Sequence, residues 1–395
     1  MKIGIHNEPR GGGIGGSEVS VAVLAEALAR NHEVVILHHR PGMTRESLEQ
    51  YAGVDLSNVR LTTPAACGEQ RHTSNFWEHY RWEKSEQSKL SDTYDLFITF
   101  THGLPPYCGA PVGVMMVLFP FEDLNESIKT ARRPAAGRLL GRTLRSAWLK
   151  WRLHSRLSGY QVKAANSNYT CRWTKRRWNA DCQVVFPPIQ VESGSAEKTD
   201  SILSVGRFAV SGPGKNQREM IHAFSKLKTV GHRDWQYHCV GSCGGSEAEQ
   251  TFLSQVKQQA GECGAKVEAN LNRARLKSLY QQAKIFWHAA GMNVDESTHP
   301  ELLEHFGMTT VEAMAAGCVP VVINRGGQAE IVEHGVSGFL WNSREEWQTY
   351  SIRLMQDRAL WEKMSAAARA RAALFSRDAY IARFQSLLEP YLKKS

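Results

Sequence analysis

At 395 residues the chain exceeds what one ordinary core holds together and suits two domains of roughly 150–200 residues. Hydrophobic residues make up 42% and charged residues 22%, a globular balance that excludes a disordered or fibrous chain. Net charge is +9, with 24 Lys and Arg against 17 Asp and Glu in residues 1–190 and 24 against 22 in the rest, so an anionic partner is expected on the N-terminal side, either a phosphate-bearing substrate or an acidic lipid surface.

The chain opens with a short apolar run, Ile3-Gly4-Ile5, that breaks at Asn7-Glu8-Pro9 without the core or cleavage site of a secretory signal. No stretch of about 18 apolar residues follows, so a cytoplasmic protein is expected, with any membrane contact peripheral and at the inner face. Its eight cysteines are scattered, without a Cys-x-x-Cys pair or a histidine cluster at zinc spacing, and read as reduced thiols. Cys239 and Cys243 are expected simply to pack.

Ile3–His6, Ser20–Arg30, Glu33–Leu37 and Leu96–Phe100 alternate strand-like and helical patterns, as a parallel sheet covered on both faces requires. Gly11-Gly12-Gly13-Ile14-Gly15-Gly16-Ser17-Glu18 lies between the first strand and the first helix, where glycines permit close backbone approach and free amides attract anions. The second strand ends Leu37-His38-His39-Arg40, basic where a dinucleotide fold would place a carboxylate for the NAD ribose, which disfavours NAD.

Residues 129–157 carry nine Lys and Arg and no acid. Leu140, Leu144, Trp148 and Trp151 fall on one helical face, with Arg138, Arg142, Arg145, Arg152 and Arg156 gathered on another. Such a helix lies on an anionic bilayer, or packs its Leu and Trp face on the N-terminal core and leaves its arginines in water. Phe186-Pro187-Pro188 and the polar run after it read as a linker, with the hinge near 188–198.

The α/β pattern resumes with Ser201–Val205, Gln217–Lys228, Tyr237–Val240, Leu276–Gln282, Lys284–His288, Thr309–Ala316 and Val319–Ile323, and Glu345–Tyr391 should form two or three helices. Arg207 follows the first of these strands, and Lys215 precedes its helix. Two fixed cations around a flexible turn suit a diphosphate. Glu304 and Glu312 stand eight positions apart in Glu304-His305-Phe306-Gly307-Met308-Thr309-Thr310-Val311-Glu312. A helix starting near Met308 points its free N–H groups at a phosphate and puts Glu312 about one turn in.

With Asn166-Ser167-Asn168-Tyr169-Thr170, Gly326-Gly327-Gln328-Ala329-Glu330 and Gly335-Val336-Ser337-Gly338-Phe339, these motifs resemble the family 4 glycosyltransferases over nearly the whole chain. The resemblance implies the GT-B fold, an α/β architecture of two Rossmann-like domains facing across a cleft. It gives an acceptor-side domain over 1–190, a nucleotide-sugar domain over 191–375, and a C-terminal helix over 376–395 crossing back to the first. It implies retaining transfer of a sugar from a UDP- or GDP-sugar donor to a glycan or glycolipid acceptor, with no cofactor and no nucleic acid. Arg207 and Lys215 would hold the diphosphate, Glu304 the sugar hydroxyls and Glu312 those of the ribose. The backbone of Gly307, Met308 and Thr309 would contact sugar and phosphate, Leu271 lies on the loop that reads the base, and Gly15-Gly16 would close over the diphosphate.

Retention is commonly described as front-face attack, in which the leaving phosphate oxygen helps deprotonate the acceptor. His102, just past the strand Leu96–Phe100, is the candidate contact to the transferred sugar. No Asp-x-Asp motif is present to hold a metal, and none is required. One departure is that related proteins often have a histidine before Phe-Pro, where Leu118 precedes Phe119-Pro120 here. Alternatives are a nucleotide-sugar epimerase or a phosphorylase of the same fold, or a non-catalytic protein that binds a nucleotide sugar.

Overall fold

A computed structural model describes the chain except residues 9–13, 41, 65–75, 122–138, 191–196, 211–213 and 393–395, and gives only the backbone of 76 and 139–146. Its contacts divide it into two units, Met1–Pro188 with Tyr380–Ser395, and Ile189–Ala379.

The first unit holds seven strands, β1 (Lys2–Asn7), β2 (Glu33–His38), β3 (Val59–Thr62), β4 (Leu96–Thr101), β5 (Val112–Val117), β6 (Val162–Ala165) and β7 (Gln183–Val184), in one parallel sheet of order β3-β2-β1-β4-β5-β6-β7. The central strands β1, β2, β4 and β5 are almost wholly buried because both faces are covered, and successive residues point to opposite faces. Ile3, Ile5, Val34, Ile36, Ile98 and Met116 pack on one side with Val21, Leu24 and Leu28 of the helix Gly16–Ala29. Tyr380, Phe384 and Leu388 of the last helix, Arg377–Leu392, join that core. Val35, Leu37, Phe97, Met115 and Val117 form the other face with Leu153 and Leu157.

Those two leucines correct the expected orientation of the basic helix, Leu139–Leu157. In its part with described side chains the inward face runs through Leu153, Arg156 and Leu157, while Trp151 keeps 41% of its surface in solvent. Arg156 and Arg152 turn to the helix Phe76–Ser88, where both bind Glu83. Arg156 also donates to the Pro105 carbonyl at 2.7 Å. The cause is the facing acid, which a helical projection of one segment does not contain. Leu140, Leu144, Arg138, Arg142 and Arg145 lie outside the described side chains.

The second unit repeats the plan with β8 (Thr199–Val205), β9 (Gln236–Gly241), β10 (Lys266–Ala269), β11 (Ala283–His288), β12 (Val319–Ile323) and β13 (Phe339–Trp341), parallel in the order β10-β9-β8-β11-β12-β13. Its core joins Ile202, Tyr237, Ile285, Trp287 and Val321 to Phe224, Trp347 and Trp361 on the covering helices. Cys239 and Cys243 are buried free thiols, packed as expected. The C-terminal stretch forms three helices, Arg344–Gln356, Arg358–Ala372 and Arg377–Leu392.

Candidate functional site

In an open parallel sheet, ligands bind beyond the carboxyl ends of the strands where the strand order reverses. In the second unit the chain runs outward from β8 to β9 and β10, then restarts on the opposite side with β11, so the reversal lies between β8 and β11. Arg207 and Lys215 follow β8, and His288 ends β11.

Lys215 sits just before the helix Gln217–Thr229, whose first residue ties the turn together. The buried Gln217 carboxamide donates to the Arg207 carbonyl at 2.9 Å and to that of Gly206 at 3.2 Å. Gly206 is required by proximity, since a Cβ there would stand 2.7 Å from Lys215 Cγ. Lys215 Nζ donates to Glu304 Oε2 at 2.5 Å, and His288 Nε2 lies 2.9 Å from the same oxygen.

Burial opposes the charge on Glu304, but the Lys215 ammonium and the His288 hydrogen bond outweigh it and hold the carboxyl well below the usual carboxylate range. Burial likewise pushes the His288 imidazole down, against the pull of Glu304. An ionised carboxylate only accepts, so the neutral imidazole carries its proton on Nε2.

Gly307 caps the helix Met308–Ala315 at φ 119°, a left-handed conformation open chiefly to glycine. The first bond of the helix runs from Thr310 N to Gly307 O at 3.0 Å, so the N–H groups of Met308 and Thr309 precede the hydrogen-bonded ladder. Glu312, one turn in, accepts from Tyr280 Oη at 2.8 Å. Burial pushes its carboxyl up, against the Tyr280 hydrogen bond and the Arg273 charge. Beside this helix Gln328 is fully buried, and its carboxamide would lie 2.5 Å from a Cβ on Gly307. Leu271 follows Asn270, whose side chain accepts from Cys243 N at 2.9 Å and donates to Cys243 O at 3.1 Å, fixing the start of that loop.

Of the residues singled out in the sequence, Lys215 and Glu304 meet directly. Glu312 stands on the helix that follows Glu304. Arg207 shares the Lys215 turn, but its exposed guanidinium forms no ion pair among the described residues. His102, Gly15 and Gly16 belong to the first unit. There the Gly15 N–H is taken at 2.9 Å by Glu18, which also receives Arg40 at 3.0 Å. Phe121 N donates to the His102 carbonyl at 3.0 Å, and the two rings lie 5.8 Å apart. The sequence reading missed His288 and Tyr280, and it took Gln328 only as part of a motif. A histidine ending a strand beside the reversal is a usable signal for the first, whereas Tyr280 is set by the packing of one helix on another.

Residues 185–371 match the family model described as glycosyl transferases group 1. Across its length the chain superposes on HepE of Anabaena, solved in complex with UDP, with a TM-score of 0.67, 16% identity and coverage of 99% of this chain and 100% of that one. It superposes on WaaG, a glycosyltransferase involved in lipopolysaccharide biosynthesis, with a TM-score of 0.58, 15% identity and coverage of 98% and 99%. The fold is GT-B.

In sequence the chain is similar to proteins named GDP-Man:Man(3)GlcNAc(2)-PP-Dol alpha-1,2-mannosyltransferase. The one from Dictyostelium discoideum is 25% identical over 239 residues, 56% of this chain and 45% of that protein. The one from Xenopus tropicalis is 29% identical over 251 residues, 58% and 48% of the two. The chain thus spans about half the length of the curated relatives it matches. Among the described residues no helix is long and apolar enough to cross a membrane.

Proposed function

We propose that the chain is a retaining glycosyltransferase that moves a hexose from a nucleotide-diphosphate sugar to a glycan or lipid-linked acceptor. The observation that carries this reading is the cluster at the β8–β11 reversal, where Lys215, Glu304 and His288 meet beside a helix that presents free N–H groups. The likeness to mannosyltransferases that use GDP-mannose and a dolichol-linked acceptor favours a GDP-hexose and a lipid-linked glycan. A UDP-sugar is the alternative, supported by the UDP and UDP-glucose complexes of HepE.

In this mechanism Glu312 accepts from the ribose hydroxyls, the Leu271 loop lies along the base, and Glu304 accepts from the sugar hydroxyls. The bond from sugar C1 to the β-phosphate oxygen breaks as the acceptor oxygen attacks C1 from the same face. The acceptor proton passes to the departing phosphate oxygen. Charge that grows on the diphosphate is offset by Arg207, by the two Lys215 donors not spent on Glu304, and by the N–H groups of Met308 and Thr309. With these groups to offset the charge, transfer is proposed to be independent of divalent cations. The acceptor is assigned to the first unit, whose basic excess suits a phosphate-bearing glycolipid at an anionic membrane. His102, Gly15 and Gly16 are that unit's candidate ligand contacts.

The test is a thermal-shift and donor-turnover screen against UDP-, GDP-, ADP- and dTDP-sugars, with and without chelator. A shift and turnover with one nucleotide, unchanged by chelator and reduced in Arg207→Ala, support the reading. Intact donor with every acceptor class tried returns the chain to a non-catalytic binder.

A further inference from the structure

The two oxygens of the Glu304 carboxylate are used unequally. Oε2 receives both Lys215 Nζ at 2.5 Å and His288 Nε2 at 2.9 Å, while Oε1 accepts no hydrogen bond among the described residues. We propose that His288 is a positioning residue whose Nε2–H, acting with Lys215, fixes Oε2 and leaves Oε1 turned to the hydroxyls of the transferred sugar. This rests on the assignment of Glu304 to the sugar.

Lys215 alone does not fix the carboxylate plane. An ammonium on a flexible stem is a point charge that tolerates many orientations, and the terminal torsion of a glutamate is broad. An imidazole at the end of a central strand, 4% exposed, is a rigid donor with one direction. Two donors that converge on one oxygen, one from the turn before the helix Gln217–Thr229 and one from the end of β11, define the plane that neither defines alone.

The other ring nitrogen argues the same way. With the proton on Nε2, Nδ1 is a buried acceptor without a partner among the described residues. That is a cost which an apolar side chain of similar volume avoids. A histidine kept only for packing carries the cost without return, whereas one kept for its Nε2–H has a reason to bear it. Burial holds the ring neutral, so His288 orients Glu304 while Lys215 supplies the charge.

The test uses the full-length protein and compares His288→Leu, His288→Asn and His288→Gln, with UDP and GDP and the matching nucleotide hexoses as probes. His288→Leu is expected to bind the nucleoside diphosphate within about twofold of wild type, and to lose about tenfold in affinity for the nucleotide sugar and in kcat/KM. His288→Asn keeps a polar side chain at the strand end but stops at the δ position, and should share the loss. His288→Gln places an amide N–H near the ε position and should recover most of it. In a Glu304→Ala background His288→Leu should be silent.

Equal losses for nucleoside diphosphate and nucleotide sugar, a loss that persists without Glu304, or a wild-type preference for the sugar that His288→Leu leaves intact would each overturn the role of His288 alone. A wild-type protein that shows no preference for the nucleotide sugar overturns that role together with the assignment of Glu304.

Discussion

Lys215 and Glu304, 89 residues apart, close an ion pair of 2.5 Å across the reversal of the second sheet, and each keeps about a fifth of its side-chain surface exposed. Glu304→Gln keeps the shape and removes the charge, leaving the ammonium unpaired. A loss of roughly 1–3 kcal/mol is expected, below the figure for a fully buried pair because of that exposure. Donor turnover should fall by about 100-fold. Chemical denaturation and single-turnover rates measure the two effects, and wild-type values of both would remove Glu304 from the site.

Tyr280 holds Glu312 through one hydrogen bond to a carboxylate, worth about 1.5–3 kcal/mol in such settings. That bond favours the charged form, and Tyr280→Phe removes it, so the Glu312 carboxyl should rise further. In the proposed role the carboxylate accepts from the ribose, so the acid limb of a binding-against-pH curve should move toward neutral pH. An unmoved limb by isothermal titration would separate Glu312 from the nucleotide.

Acid stability follows from the histidines. Burial and neighbouring His39 push His6 down to about 3, and burial pushes His305 down to about 4. An unfolded chain takes up these protons from about pH 6.5 downward while the native state does not, so unfolding free energy falls as pH drops from there. The slope is up to about 1.4 kcal/mol per pH unit for each group, ending near pH 4 for His305 and near pH 3 for His6. Glu304 adds the same sign lower down, since the stability tied to its depressed carboxyl is present above about pH 4.5 and is lost as pH falls through the native value. Denaturation midpoints at pH 7, 6 and 5 should decline in order, and less so in His6→Phe. A flat series contradicts this account.

Glu83 is the shared partner of Arg152 and Arg156, and the Arg156 side chain is 5% exposed. Glu83→Gln strands a buried guanidinium and should destabilise the first unit by roughly 2–4 kcal/mol. Arg152→Ala should cost less, because Arg156 then keeps the Glu83 carboxylate as well as its bonds to Gln87 and Pro105. Equal effects in urea unfolding would argue against a buried network.

The proposed contact of the first unit with an anionic membrane is best tested at Trp77 and Trp151, whose rings meet at 5.6 Å with 54% and 41% of their surfaces exposed, because Arg152 and Arg156 turn inward to Glu83. Pelleting with vesicles of anionic lipid should weaken several-fold in Trp77→Ala with Trp151→Ala. Binding indifferent to those residues, to anionic lipid and to salt counts against the contact.

Periodicity and local chemistry carried the fold class. Val34-Val35-Ile36-Leu37 and Val319-Pro320-Val321-Val322-Ile323 read as strands buried on both faces, and Gly307 before Met308 marked a helix start, because these preferences act between residues close in the chain. The strands β3, β6, β7, β10 and β13 escaped that reading, since two to four residues are too few to show a period, and so did β5, a continuous apolar run of six whose lack of alternation leaves periodicity nothing to detect. Glu304 and Lys215 were legible as residue types in a motif. Their pairing, the convergence of His288 on the same oxygen, and the hold of Tyr280 on Glu312 were not, because contacts between residues 16 to 89 positions apart exist only once β8 and β11 lie side by side. The arginines of the basic helix show the same limit. A helical projection ranks faces by composition, and only the tertiary structure brings up Glu83, which draws Arg156 inward beside Leu153 and Leu157.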